Sequence, residues 1–137
     1  VTRDEQELRL SIQRLARRIR SMQGDEDVTE GQRSVLFSLA NLGPQTLGSL
    51  SEHERVTPPS MNRTVNALVT AGLVTRVTAA DDARKVTLDL SAAGHSFIGE
   101  TRRRRDAWFT KRLAELSEAD RVVLEQAGPI LRHLAEQ

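Results

Sequence analysis

The residues best suited to chemistry lie in two clusters. Pro59, Ser60, Asn62, Arg63 and Asn66 fall within one short segment, and Asp82, Arg84 and Lys85 crowd a charged turn further along. An arginine fork matches the two acceptors on the major-groove edge of guanine, worth about 1 to 3 kcal/mol of discrimination. Asn62 or Asn66 can offer the donor and acceptor that adenine presents. Ser60 and the free N–H groups of a helix's first turn suit phosphate instead. Arg84 or Lys85, carried on a narrow turn, fits a minor groove in which A·T tracts concentrate negative potential. All of this is hydrogen bonding and charge, so the expectation is no catalytic residue, no metal and no cofactor.

Other chemistries find little to work with. The chain has no cysteine, which excludes a disulfide framework, a thiolate zinc site, a cysteine nucleophile and a thiol switch. His53, His95 and His133 show no metal-ligand spacing, and no serine has a glycine-flanked nucleophile pattern. There are three Phe, one Trp and no Tyr, too few for a platform on which single-stranded bases stack. Any nucleic acid bound is therefore duplex. Trp108 and Phe109, as an aromatic pair on a helix, are read as packing rather than as a ligand cavity.

The elements that must position these residues follow from hydrophobic period and capping. Leu8, Ile12, Leu15, Ile19 and Met22 form the apolar stripe of a helix from Asp4 to Met22, stopping near Gly24. Thr29 and Gln32 are spaced as a capping box and open a second helix, which Gly43 and Pro44 end. Thr46 caps a short helix with Leu47 and Leu50. Thr57 caps the next, where Pro58 and Pro59 occupy positions at which a missing N–H costs nothing. Met61, Val65, Leu68 and a close-packing Gly72 form the rear of that helix, leaving Ser60, Asn62, Arg63 and Asn66 elsewhere. The period then shortens toward two, with Val74 to Thr78 and Val86 to Leu90 as strands about a polar turn from Ala79 to Lys85. Ser91 caps a long, thinly apolar helix, and Ser117 caps a last one, in which Gly128 and Pro129 predict a kink.

The 137 residues, with 20 Lys and Arg against 19 Asp and Glu, 28% charged and 38% hydrophobic, are ordinary for one soluble domain. No run approaches the ~20 apolar residues of a membrane span, and Val1 to Leu10 lacks the apolar core of a signal peptide. A cytoplasmic location with no membrane partner is expected. The fold class is mainly α with a small β-hairpin. Two short helices joined by a tight turn, then a two-stranded hairpin, make a winged helix-turn-helix. From Pro44 to Leu90 the cations Arg55, Arg63, Arg76, Arg84 and Lys85 are matched by Glu52, Glu54, Asp81, Asp82 and Asp89. The lobe is formally neutral, which predicts modest, salt-dependent binding. The run Arg102 to Arg105 wraps around its helix and reads as a solvated face.

Over nearly its whole length the chain resembles the MarR family of bacterial winged-helix regulators. The specific part is Leu68, Gly72-Leu73-Val74, Arg76, Asp82-Ala83-Arg84, Val86, Leu88, Leu90-Ser91 and Gly94. Ser91 stands where the family usually has Thr, and Gly48 where it usually has a better helix former. The resemblance implies that Arg84 contacts DNA, that Asp82 orients it, and that Arg63 is the recognition-helix arginine. It also implies a homodimer built from the first and last helices, and a small aromatic or phenolic ligand between those helices and the DNA-binding lobe.

Together these give one domain over 1–137, with a DNA-binding lobe at 29–90 and dimerisation helices at 1–24 and 91–137. The expected function is sequence-specific binding of double-stranded DNA by a repressor, on a pseudo-palindrome with half-sites about one helical turn apart. The alternative is a winged helix that uses Arg63 and Arg84 to bind an acidic protein. A small α-rich enzyme is disfavoured by the scarcity of His, Cys and clustered carboxylates.

Overall fold

The computed structural model describes residues 1–22 and 28–137. In order they form α1 (Arg3–Arg20), α2 (Glu30–Leu42), α3 (Leu47–Glu54), α4 (Pro58–Thr70), β1 (Val74–Thr78), β2 (Val86–Leu90), α5 (Ala92–Ala114) and α6 (Glu118–Ala135). The helix end expected near Gly24 lies outside the described residues. Two compact units emerge, divided on α5 between Arg102 and Arg103. One comprises, among the described residues, 28–102, and is called the lobe below. The other comprises 1–22 and 103–137.

The lobe is organised by its helix caps. Thr29 Oγ1 accepts the Gln32 N–H at 3.1 Å while Gln32 Oε1 accepts the Thr29 N–H at 3.0 Å, so α2 starts with two of its orphan donors satisfied. Thr46 Oγ1 accepts the Ser49 N–H at 3.1 Å to start α3, and Thr57 Oγ1 accepts the Ser60 N–H at 3.4 Å to start α4. The apolar faces thus aligned bury Val35, Leu36 and Leu39 of α2, Leu50 of α3, and Met61, Val65 and Leu68 of α4. Val74, Leu88 and Leu90 of the hairpin and Ile98 of α5 complete this core. Each such side chain contributes about 1.5 to 3 kcal/mol by leaving water. Because Ile98 and Thr101 are buried here, the lobe continues into α5 as far as Arg102, past the end of the hairpin at Leu90.

The hairpin is antiparallel, with Val74 opposite Leu90 and Thr78 opposite Val86. Its outer strand gains a further bridge that sequence period did not reveal. Gln45 N–H donates to Leu88 O at 3.0 Å and Leu88 N–H donates to Gln45 O at 2.7 Å. Gln45 is buried, and its Nε2 donates to Ser38 Oγ at 3.1 Å. The segment before α3 therefore holds the edge of the wing.

The close-packing role expected of Gly72 belongs to another glycine. Gly72 is exposed with φ of +79°, and a Cβ there would meet nothing within 4 Å. It is a left-handed turn residue after α4, not a close-packing one. The close approach belongs to Gly94, where a Cβ would collide with the Leu73 carbonyl oxygen and lie 3.2 Å from Leu90 Cδ2. Ser91 closes the same corner, its Oγ donating to Gly72 O at 2.5 Å and accepting from Gly94 N–H at 3.0 Å.

In the other unit α1 starts one residue earlier than its apolar stripe suggests. Thr2 and Glu5 form a second capping box, with Thr2 Oγ1 accepting at 3.1 Å and Glu5 Oε2 at 2.8 Å. Ser117 Oγ accepts the Asp120 N–H at 3.1 Å to start α6, which runs as one helix through Pro129. Neither α1 nor α6 contains a buried residue. Leu8, Val123, Ile130 and Leu134 are each about 60% exposed. Trp108 is half-buried beneath the Arg112 guanidinium, 5.4 Å from the ring centre.

Candidate nucleic-acid interface

On α4 the core-facing residues Met61, Val65 and Leu68 fix which residues look outward. Pro59, Asn62, Arg63 and Asn66 are exposed, and Ser60 is half-buried. This is the geometry of a helix with an apolar rear and a polar front.

The first turn of α4 departs from the expected phosphate site. Pro58 and Pro59 have no N–H, the Ser60 N–H is held by Thr57 Oγ1, and the Met61 N–H is held by Thr57 O at 2.9 Å. No free backbone donor is left there, so the Ser60 hydroxyl is what remains for an anion. The two asparagines also part company. Asn66 Oδ1 accepts a hydrogen bond from Arg76 Nη2 of β1, which ties α4 to the wing and occupies the acceptor that adenine would need. Asn62 has no such tether among the described residues.

The wing tip is built around one carboxylate. Asp82 Oδ1 accepts from the Arg84 N–H at 2.9 Å and from Arg84 Nε at 3.1 Å, and Asp82 Oδ2 accepts from Arg84 Nη2 at 3.1 Å. The Arg84 guanidinium beside it, and then the Arg84 N–H, hold the Asp82 carboxyl below its ordinary value. The turn is closed by Lys85 N–H donating to Asp82 O at 3.1 Å and Ala79 N–H donating to Lys85 O at 2.8 Å. Arg84 nevertheless keeps its side chain 91% exposed, against 23% for Asp82. A pair whose cation is screened by solvent adds little to stability, so its geometric effect, a fork fixed in direction at the tip of the hairpin, matters more than its energy.

Sequence period passed over two residues of this surface. Arg55, in the turn between α3 and α4, is exposed at φ 55° and ψ 44°, the left-handed region that an L side chain enters at a cost. Only a Gly or Asn there would have marked the turn. Arg76 was visible as a motif residue, but its grip on Asn66 depends on the pairing of β1. Arg102, read as part of a solvated run, is exposed and also reaches back to α2, with Nη2 donating to Asn41 Oδ1 at 3.1 Å and its guanidinium 6.0 Å from the Phe37 ring centre. Among the described residues no group of three His, Cys, Asp or Glu is placed to hold a metal, and no helix is long and apolar enough to cross a membrane.

A three-helix lobe with an outward α4 and a two-stranded wing defines a winged helix-turn-helix, a class of DNA-binding module. Residues 28–86 match the MarR family model. An HTH-type transcriptional regulator of Mycobacterium bovis is 35% identical over 131 residues, covering 96% of this chain and 92% of that protein. A transcriptional regulator protein from Pseudomonas aeruginosa has a similar structure, with a TM-score of 0.85 and 27% identity over 100% of this chain and 99% of the other. A MarR family protein from Bacillus stearothermophilus gives 0.77 and 26% over 97% and 93%. The chain belongs to the MarR family: it is a DNA-binding transcriptional regulator and not an enzyme.

Proposed function

We propose that the chain is a cytoplasmic, homodimeric repressor of a pseudo-palindromic operator. The observation that carries the reading of the site is the Asp82–Arg84 fork fixed at the wing tip of the lobe that also presents the outward face of α4. On this reading α4 enters the major groove, where Arg63 reads guanine and Asn62 adenine. Pro59 and Ser60 approach the backbone at its first turn, and Asn66 acts through Arg76 as a brace. Arg84 and Lys85 enter the adjacent minor groove. Arg55, an exposed cation at the turn of the motif, joins them as a phosphate contact.

The dimer is supported by the apolar faces of α1 and α6, helices that contain no buried residue. Leucine and isoleucine exposed to this extent at helical spacing call for a partner surface, and a second copy supplies it in the symmetry that a palindrome requires. The proposed division of labour is therefore a DNA-binding lobe with dimerisation helices at both ends of the chain. Repression follows from occlusion, since two recognition helices in successive major grooves exclude polymerase. Relief follows from a small aromatic or phenolic effector that favours a half-site spacing incompatible with DNA, at a coupling of about 1 to 3 kcal/mol.

The test is fluorescence anisotropy against genomic fragments that include the upstream region of the gene itself, with excess nonspecific competitor and at several salt concentrations. Saturable binding to one palindromic fragment, weakened in Arg84→Ala, is expected. Weak binding, equal on all fragments and indifferent to Arg84→Ala, would instead favour a winged helix that docks an acidic protein.

A further inference from the structure

The outward stripe of α4 is polar along its length except at its tip. Pro59 lies one helical turn ahead of Asn62 and Arg63 and two turns ahead of Asn66, on the same side of the helix. Pro58 is set a step back from that stripe, one turn ahead of the buried Met61. Both prolines are exposed, and neither belongs to the lobe's core. Pro58, at the first helical position, already presets the entry of the helix. Pro59 adds a saturated ring that core and cap leave unused.

The backbone under that ring is equally restricted. Pro58 and Pro59 bring no N–H, and those of Ser60 and Met61 are taken by Thr57 Oγ1 at 3.4 Å and Thr57 O at 2.9 Å. A tip without a backbone donor holds neither a phosphate nor an acceptor on a base edge. What it offers is apolar surface. On the major-groove edge guanine, adenine and cytosine present donors and acceptors, whereas thymine presents the O4 acceptor and a C5-methyl group. That methyl projects into the groove beside the sugar–phosphate wall, which the first turn of α4 approaches in the docking proposed above. A ring with no donor matches the methyl and passes over O4.

We infer that Pro59 is a specificity-determining residue that reads the C5-methyl of a thymine next to the bases read by Asn62 and Arg63. The inference rests on the proposed entry of α4 into the major groove. Ser60 keeps its hydroxyl for the neighbouring phosphate. At the position it covers, Pro59 registers a methyl group and not a base. Uracil therefore fails there although it pairs as thymine does, and 5-methylcytosine succeeds where cytosine fails.

The test begins with selection of binding sites by the full chain from a pool of random-sequence DNA duplexes. Anisotropy on the enriched site then replaces each thymine by deoxyuridine, one position at a time. At the position that responds, cytosine is compared with 5-methylcytosine. Loss of the methyl should weaken binding about fourfold at one thymine in each half-site, and methylation of the cytosine should strengthen it by about the same factor. In Pro59→Ser both responses should shrink below about 1.5-fold, while Pro58→Ala keeps them. The deoxyuridine series on the parent chain needs no variant, so it stands even if Pro59→Ser folds poorly. An enriched site at which no thymine responds would overturn the inference, as would a response undiminished in Pro59→Ser. A pool that enriches no sequence would overturn the proposed function and this inference with it, so the two failures are told apart.

Discussion

Arg55→Gly should move stability and DNA affinity in opposite directions. Arg55 is the one non-glycine residue at positive φ among the described residues. It is held there by two backbone bonds, its own N–H to Glu52 O at 3.3 Å and the Val56 N–H to Ser51 O at 3.1 Å. Holding an L side chain in the left-handed region costs about 1 to 2 kcal/mol. Glycine removes that cost but frees the unfolded chain, returning roughly 0.5 to 1 kcal/mol. The net expectation is a variant more stable by about 0.5 to 1 kcal/mol, read as a higher urea midpoint at unchanged slope. The substitution also deletes a cation from the turn of the helix-turn-helix. If that cation meets a phosphate, affinity falls evenly across operator variants, and the log–log salt slope becomes shallower by about 0.9 for each phosphate no longer neutralised. Denaturation and anisotropy on the same protein decide the matter. A variant less stable than the parent would refute the strain argument, and an unchanged salt slope would refute the phosphate contact.

Four further outcomes follow from the geometry. Gly94→Ala pushes a methyl group into the Leu73 carbonyl and should destabilise by about 1 to 3 kcal/mol in urea unfolding; an unmoved midpoint would mean that the corner beneath Ser91 is not tightly packed. Asp82→Ala frees the Arg84 fork and should weaken operator binding while leaving the urea midpoint nearly unmoved, because the Arg84 side chain that it holds is almost wholly exposed. The Asp82 carboxyl sits below its ordinary 3.8, so its contribution is present above that pH and is lost only as pH falls through the lower folded value. The Arg84 amide resonance should therefore hold its neutral-pH position as pH falls to 3.8 and move only below it, and a titration centred at or above 3.8 would count against the clamp. Arg63→Ala should cost about 1 to 3 kcal/mol of discrimination at a single operator base pair, so a uniform loss across all base changes would reassign Arg63 to the backbone.

What could be read in advance was whatever depends on neighbours in sequence. Caps at Thr29, Thr46, Thr57 and Ser117, the apolar rear of α4 and the alternation of β2 all act over three or four residues, and each appears in the structure. The Asp82–Arg84 pair is equally local, and there the family resemblance and the residue types point the same way. Readings that need distant partners were not accessible. The Gln45 bridge to Leu88, the Arg76 hold on Asn66 and the reach of Arg102 to Asn41 and Phe37 all join separate elements. Gly72 and Gly94 show the limit most clearly. Both are motif glycines, yet only the backbone tells that one supplies a positive φ and the other a close approach. The second capping box, at Thr2 and Glu5, was local and legible but lies ahead of the apolar stripe used to place the helix.

The α4 first turn bears on how the proposed complex divides affinity from specificity. A helix N-terminus usually contributes backbone donors to phosphate whatever the base sequence. Here two prolines and the Thr57 cap remove them, so α4 has little to offer the backbone beyond the Ser60 hydroxyl. The residues from Pro44 to Leu90 carry as many carboxylates as cations, and one of those carboxylates, Asp82, is spent on aiming Arg84. Nonspecific attraction in the lobe is thereby kept low. On the proposed docking, the free energy of binding comes disproportionately from Asn62, Arg63 and the wing fork, groups whose contacts depend on base identity or groove width. On the proposed docking, the ratio of operator to nonspecific affinity is thus set high by subtraction, through weak binding to arbitrary sequence rather than exceptional binding to one.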